Sequence, residues 1–236
     1  MGESLTIRTK MSLWLSSNLA HWLVIIGFTG LTIWKDNLAY FLGIAFVLIL
    51  LWARRWEWKY IGLTKPTSWG GVWLQAIVLS VVILVVVDMI LTPLVEVLSG
   101  QEIDVSSLDG IRGNFIGYVI FIVFMWVVAA FGEEFVYRGL LVKRLGSLFG
   151  NTQVAYWGAV IISSVLFGIA HRYQGISGMI STGMVGFIFG ALFINSKNRL
   201  WLTILTHGVY DVIGITLIYL DMDKTVYSFI RTLISY

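Results

Sequence analysis

The 236-residue chain is 58% hydrophobic and 12% charged, with a mean hydropathy of +0.86. A soluble domain carries about 25% charged residues, so the composition excludes a soluble protein, and apolar runs that recur from end to end indicate a polytopic membrane protein. The net charge of +3 is small and sits in loops, which argues against nucleic acid as a partner, and the absence of cysteine excludes disulfides and thiolate ligands, leaving any metal to His and carboxylates.

Met1–Lys10 is polar and short, and no small-residue cleavage site stands out, so no signal peptide is expected. A spanning helix needs roughly 20 mainly apolar residues. On that rule the sequence predicts about seven spans: Leu19–Trp34, Leu38–Ala53, Trp69–Val95, Asn114–Gly132 with a polar extension, Val154–Ala170, Ile176–Ile194 and Leu200–Leu220. Lys35-Asp36-Asn37 makes a tight hairpin between the first two. Arg54–Ser68 is a basic loop whose Trp56 and Trp58 suit the membrane interface. Ser99–Gly113 is polar and acidic, with turn residues Gly100, Gly110 and Gly113, and Asp221–Tyr236 is a mixed tail able to form a short interfacial helix. No internal repeat or second domain is visible, so residues 1–236 form one integral-membrane domain. The expected fold is an all-α transmembrane bundle with a polar intramembrane cavity.

The positive-inside rule orients these spans. Eleven Lys and Arg residues fall on the side of the N-terminus, in Arg8, Lys10, Arg54, Arg55, Lys59, Lys65, Arg138, Lys143, Arg144, Lys197 and Arg199. Five fall on the other, in Lys35, Arg112, Arg172, Lys224 and Arg231. The N-terminus is therefore expected to be cytoplasmic.

Gly132-Glu133-Glu134-Phe135-Val136-Tyr137-Arg138-Gly139 follows directly on the apolar run Ile116–Phe131. Ionisable groups at membrane depth are costly, and they face a wet cavity or a partner. Glu134 and Arg138 are spaced i, i+4 and share a helix face, while Glu133 points about 100° away. Arg138 is thus expected to neutralise Glu134 and leave Glu133 free. Phe167 and His171, and again His207 and Asp211, have the same i, i+4 spacing, so three helices each offer a short polar face to a common centre. If the helix of Glu133 runs on to an interface at Lys143, Glu133 lies roughly 15 Å deep and His207 about 12 Å from Arg199. His171 then requires a tilted or late-starting fifth helix, and Gly175 and Gly178 allow a turn at depth.

A carboxylate in such a place suits general-base work near neutral pH. A neutral His beside it can share a water, and a second His can donate to a developing oxyanion. The same Glu, His, His and Asp set could instead ligate a divalent metal with one open position. Either way the chemistry is attack of water on a carbonyl.

The pattern Glu133-Glu134-x-x-x-Arg138, Phe167-x-x-x-His171 and His207-x-x-x-Asp211 resembles the CPBP intramembrane proteases, the type II CAAX prenyl endopeptidases and the bacteriocin-processing and self-immunity proteins. The resemblance covers residues 114–220, and Ile61-Gly62-Leu63-Thr64-Lys65-Pro66 is similar to a segment upstream in bacterial members. It implies an intramembrane endopeptidase acting on a membrane-associated or lipid-anchored peptide in a bacterial cytoplasmic membrane. Glu133 and His171 would activate the water, His207 and Asp211 would stabilise the oxyanion, and Glu134, Arg138 and Phe167 would support the site. It admits one divalent metal, zinc, held by Glu133, His171, His207 and Asp211, or hydrolysis without metal. Asp211 departs from the Asn usual at its position. An ionised Asp cannot donate to an oxyanion, so it must be protonated, bind a metal or orient His207.

Two rival functions stand beside this: a non-catalytic scaffold or self-immunity protein of the same family, and a proton-coupled transporter, which would need symmetric halves or a continuous polar track. His21, beside Trp22, is expected at the interface, Asp88 either pairs with Arg172 or lines the cavity, and Gly186-x-x-x-Gly190 marks close helix packing.

Overall fold

A computed structural model describes residues 6–224, and every regular element among them is helical. The helices are α1 (Ile7–Leu15), α2 (Asn18–Trp34), α3 (Asp36–Ala53), α4 (Trp69–Ser99), α5 (Phe115–Leu148), α6 (Gln153–Ala170), α7 (Gly175–Asn195) and α8 (Leu200–Tyr219). Local chemistry starts several of them. The side chains of Ser17, Ser68, Asn114 and Thr152 accept from the backbone N–H three residues on, capping α2, α4, α5 and α6. Gly100 ends α4 with a left-handed φ of 71°, and Gly175, at φ 77°, makes the turn between α6 and α7.

Five helices, α4 to α8, are long and apolar enough to cross a membrane, and α1 with α2, bent by 70°, makes a sixth. Asn37–Ala53, at the second predicted span, is a shorter apolar helix, so five or six spans pass on length and composition and about seven is approximate. The polar start of the chain also resolves differently from expectation: residues from Ile7 form the short helix α1 rather than a loop. The predicted interfacial helix of the tail lies, beyond Lys224, outside the described residues. The protein is an integral membrane protein, and its surface says so directly. Along α5, Ile116, Ile120, Val123 and Val127 are 60–71% exposed at helical spacing, an apolar stripe that water would not tolerate.

The predicted long fourth helix is continuous from Phe115 to Leu148, with Glu133 near its middle. Part of it, Met125–Val142, is wound as a wide i→i+5 helix, as is Leu84–Leu91 in α4. For α4 a cause is visible. Pro93 lacks an N–H and crowds the carbonyl four residues back, and it directly follows the wide turns. The chain supplies no comparable reason in α5, but wide turns concentrate at functional sites.

Close packing of α6 on α7 depends on glycine. A Cβ on Gly186 would come within 2.9 Å of Phe167, and one on Gly190 within 2.7 Å of Val160. The Gly186-x-x-x-Gly190 pair therefore serves contacts within the chain. Gly190→Leu is expected to destabilise the protein by about 1–3 kcal/mol through overpacking, read as a lower melting temperature in detergent.

Hydrogen bonds gather the loops into the same two groups as the charge count. At one end, Gly113 N–H donates to Tyr219 O, Asp104 N–H to Gln174 O and Arg172 Nη1 to Thr32 O. At the other, Leu200 N–H donates to Gly62 O and Lys143 Nζ to Tyr60 O. At the first end, Arg112 donates to Asp109, Asp221 and Asp223 at 2.7–2.9 Å. The bond from Arg112 holds the Asp223 carboxyl below its ordinary 3.8. A carboxyl lowered by folding stabilises fully above its unfolded value and loses that contribution as pH falls through the folded one. Melting temperature should therefore be level from pH 7 to about 5 and drop below about pH 4, and Arg112→Ala should blunt that acid limb.

Candidate active site

The carboxylate of Glu134 is fully buried, and so is the guanidinium beside it. Arg138 Nη1 donates to Glu134 Oε1 at 2.7 Å, the expected i, i+4 pair. Nη2 donates to Gly186 O at 2.8 Å across the helix gap, so Gly186 both admits Phe167 and offers its carbonyl. The guanidinium also lies 4.8 Å from the Phe167 ring and 5.4 Å from that of Phe189. A buried charge without partners would be prohibitive, and here the partners come from α5, α6 and α7.

Glu134 has a second task. His207 Nδ1 lies 3.0 Å from the same Oε1. A carboxylate paired with Arg138 can only accept, so His207 carries its proton on Nδ1 and turns Nε2 the other way. That nitrogen faces two more carboxyls, Asp211 Oδ2 at 3.3 Å and Glu133 Oε2 at 3.9 Å. The His207 ring is held 4.6 Å from Phe189 and 6.3 Å from Phe167. Glu133 and Asp211 retain 18% and 12% side-chain exposure, against 0% for Glu134. They are the members of the cluster that a small polar molecule can reach.

His171 stands at the end of α6. Its Nδ1 donates to Phe167 O at 2.8 Å, which leaves Nε2 as the acceptor, and its ring lies 4.8 Å from Phe167. Phe167 thus touches both imidazoles. The structure brings Glu133, Glu134, Arg138, His207 and Asp211 into direct contact, with His171 joined to them through Phe167.

Three neighbours, Tyr40, Tyr210 and Trp126, were not expected. Tyr40 donates to Val128 O at 2.8 Å, and its hydroxyl covers Gly132, where any Cβ would collide with it. This sets the phenol beside Glu133, and no short-range pattern in α3 announces it. Asp88 pairs with Tyr210, whose hydroxyl donates to Oδ1 at 2.8 Å, rather than with Arg172, which donates to Thr32 O. Asp88 and Tyr210 adjoin Asp211, close enough for the two acids to feel one another. Trp126 packs on Gly208 next to His207 and closes that flank.

Among the described residues no three His, Asp or Glu side chains stand as a metal-holding group. His207 Nδ1 is committed to Glu134, and His171 Nδ1 to a backbone carbonyl. Nδ1–H bonds of this kind also orient an imidazole that ligates through Nε2.

Residues 115–213 match the family model of the type II CAAX prenyl endopeptidases, Rce1-like. The Rce1-like segment is less than half of the chain, and it runs from the start of α5 to Ile213 in α8. It contains Glu133, Glu134, Arg138, Phe167, His171, His207 and Asp211, and leaves Tyr40 and Asp88 outside. The match bears out the resemblance drawn from the motifs and points to protease activity of the CAAX type. Comparison with curated proteins yields no match, and comparison with solved structures yields none either.

Proposed function

We propose that the protein is an intramembrane endopeptidase that hydrolyses a peptide bond of a membrane-associated or lipid-anchored peptide, using water and its own side chains. The observation that carries this reading is the imidazole of His207, fixed on Nδ1 by Glu134 and facing Glu133 and Asp211 from Nε2 at membrane depth. Such an arrangement is costly in a purely structural bundle.

In the proposed reaction Glu133 takes a proton from water while the water oxygen bonds to the carbonyl carbon. His171, whose Nδ1 donates to Phe167 O, shares that water. The carbonyl oxygen becomes an oxyanion, and His207, doubly protonated among its three carboxyls, donates to it from Nε2. The carbon–nitrogen bond then breaks, and the leaving amine takes the proton held by Glu133. Asp211 acts through His207: it compensates the charge of the imidazolium and steers its ring, so it need not donate to the oxyanion itself. This answers the departure from Asn. Arg138 pairs with Glu134, and Glu134 holds the His207 ring by Nδ1 so that Nε2 points the other way. The apolar surface of α5 places the site within the bilayer, and the charge of the loops favours a cytoplasmic N-terminus.

Purified protein in liposomes should cut a tethered peptide at one bond, yielding a new carboxylate and amine by mass spectrometry, with the rate unchanged by a strong zinc chelator. A rate that falls with chelator and returns with zinc would replace the metal-free mechanism. Intact peptide under all conditions would favour the scaffold reading.

A further inference from the structure

Away from the catalytic centre, at the end of the bundle where the cationic loops gather, a second polar cluster has no acid in it among the described residues. Arg54 ends α3, Tyr60 lies in the following turn, Arg144 is near the end of α5 and His21 begins α2. The Tyr60 ring is sandwiched between two guanidiniums, Arg54 at 4.0 Å and Arg144 at 4.5 Å from its centroid. Arg54 Nη2 donates to Ser16 Oγ and, at 3.2 Å, to Tyr60 Oη. The His21 imidazole lies within electrostatic reach of both arginines. Lys143 Nζ, on the carbonyl of Tyr60, adds a further cation.

Two of these groups, Arg144 and His21, are buried, and several of their ring and guanidinium nitrogens lack a well-formed hydrogen bond. Arg144 and His21 are each 6% exposed. Arg144 Nε and Nη2, Arg54 Nε, and both ring nitrogens of His21 are buried without a hydrogen-bond partner among the described residues. No ion pair there includes Arg54 or Arg144. Cation–π contact with one tyrosine offsets part of the cost of burying a guanidinium, but it uses none of its in-plane N–H groups. Two like charges held against one ring repel each other unless an anion joins them. Arg54, Ser16 and Tyr60 are only half-buried, which gives such an anion a way in from the interface.

We propose that Arg54, Arg144 and His21, with the hydroxyls of Ser16 and Tyr60, form a binding site for a phosphate group, a planar donor set suited to its oxygens. The phosphate comes from an anionic lipid headgroup or from a soluble phosphate. Occupancy would tie α1, α2, α3 and α5 together at the positively charged end of the protein. A ligand that binds only the folded state raises its stability.

The test uses full-length protein, delipidated in neutral detergent, and follows melting temperature against phosphatidylglycerol, phosphatidylcholine and inorganic phosphate. Native mass spectrometry reads lipid retention alongside. A rise with phosphatidylglycerol but not phosphatidylcholine or inorganic phosphate supports a lipid headgroup. A rise with inorganic phosphate alone also supports the site, with a soluble ligand. Arg144→Gln should reduce either shift at least fivefold. Arg54→Gln, at a half-buried helix end, repeats the test should the buried variant fail to fold. No shift in wild type, or equal shifts in wild type and Arg54→Gln, overturns the proposal.

Discussion

Glu133→Gln should abolish cleavage, lowering kcat by about 1,000-fold, within the range for loss of a general base, while the protein still folds. The side chain keeps its size and its place beside Tyr40, but an amide cannot take a proton from water. Glu133 is partly exposed, and its ionic neighbour, His207 Nε2, is 3.9 Å away, so the substitution breaks no tight buried pair. Its melting temperature should stay within a few degrees of wild type. That combination separates a catalytic carboxylate from a structural one, which would lose stability and activity together. Asp211→Asn provides the contrast. Its amide keeps a polar oxygen of the same size beside His207 Nε2, so turnover should fall by less than about tenfold, whereas Asp211→Ala removes the steering contact and should cost more. Equal turnover in Glu133→Gln and wild type would end the proposed reaction outright.

The polar pairs were legible in the sequence because each is local. Glu134 with Arg138, Phe167 with His171 and His207 with Asp211 all lie four residues apart, a spacing that helical geometry turns directly into contact. The resemblance placed these pairs in one family, and residues 115–213 match it. What could not be read was how distant helices meet. Tyr40 reaches Gly132, and Tyr210 reaches Asp88, through packing of helices remote in the chain. The wide turns of α5 escaped for another reason: they change the register by a fraction of a residue, and no single side chain between Met125 and Val142 demands them. Span counting is approximate only at the short end, in α3, where a 17-residue apolar helix lies at the margin of the length rule.

Removing either partner of the buried ion pair should cost about 3–5 kcal/mol, since each leaves an uncompensated charge at a fully enclosed position. Glu134→Leu strands Arg138, and Arg138→Met strands Glu134. The double variant buries no unpaired charge there, and its total cost should be about 1–3 kcal/mol, set by the hydrogen bonds lost at His207 Nδ1 and Gly186 O. Stability would thus recover in the double variant relative to either single one, as equilibrium unfolding in mixed detergent can measure. Activity should not recover. Without Glu134 nothing holds the proton of His207 on Nδ1 or turns Nε2 toward Glu133 and Asp211, so turnover should stay at least about 100-fold down. The two readouts therefore divide the labour of one carboxylate: Arg138 accounts for its effect on folding and His207 for its effect on catalysis. If the costs of the single variants simply add in the double one, the pair contributes no coupling, and Arg138 must be buried for its contacts with Gly186, Phe167 and Phe189 alone. If turnover returns with stability, the tautomer of His207 is set elsewhere and Glu134 belongs to the scaffold.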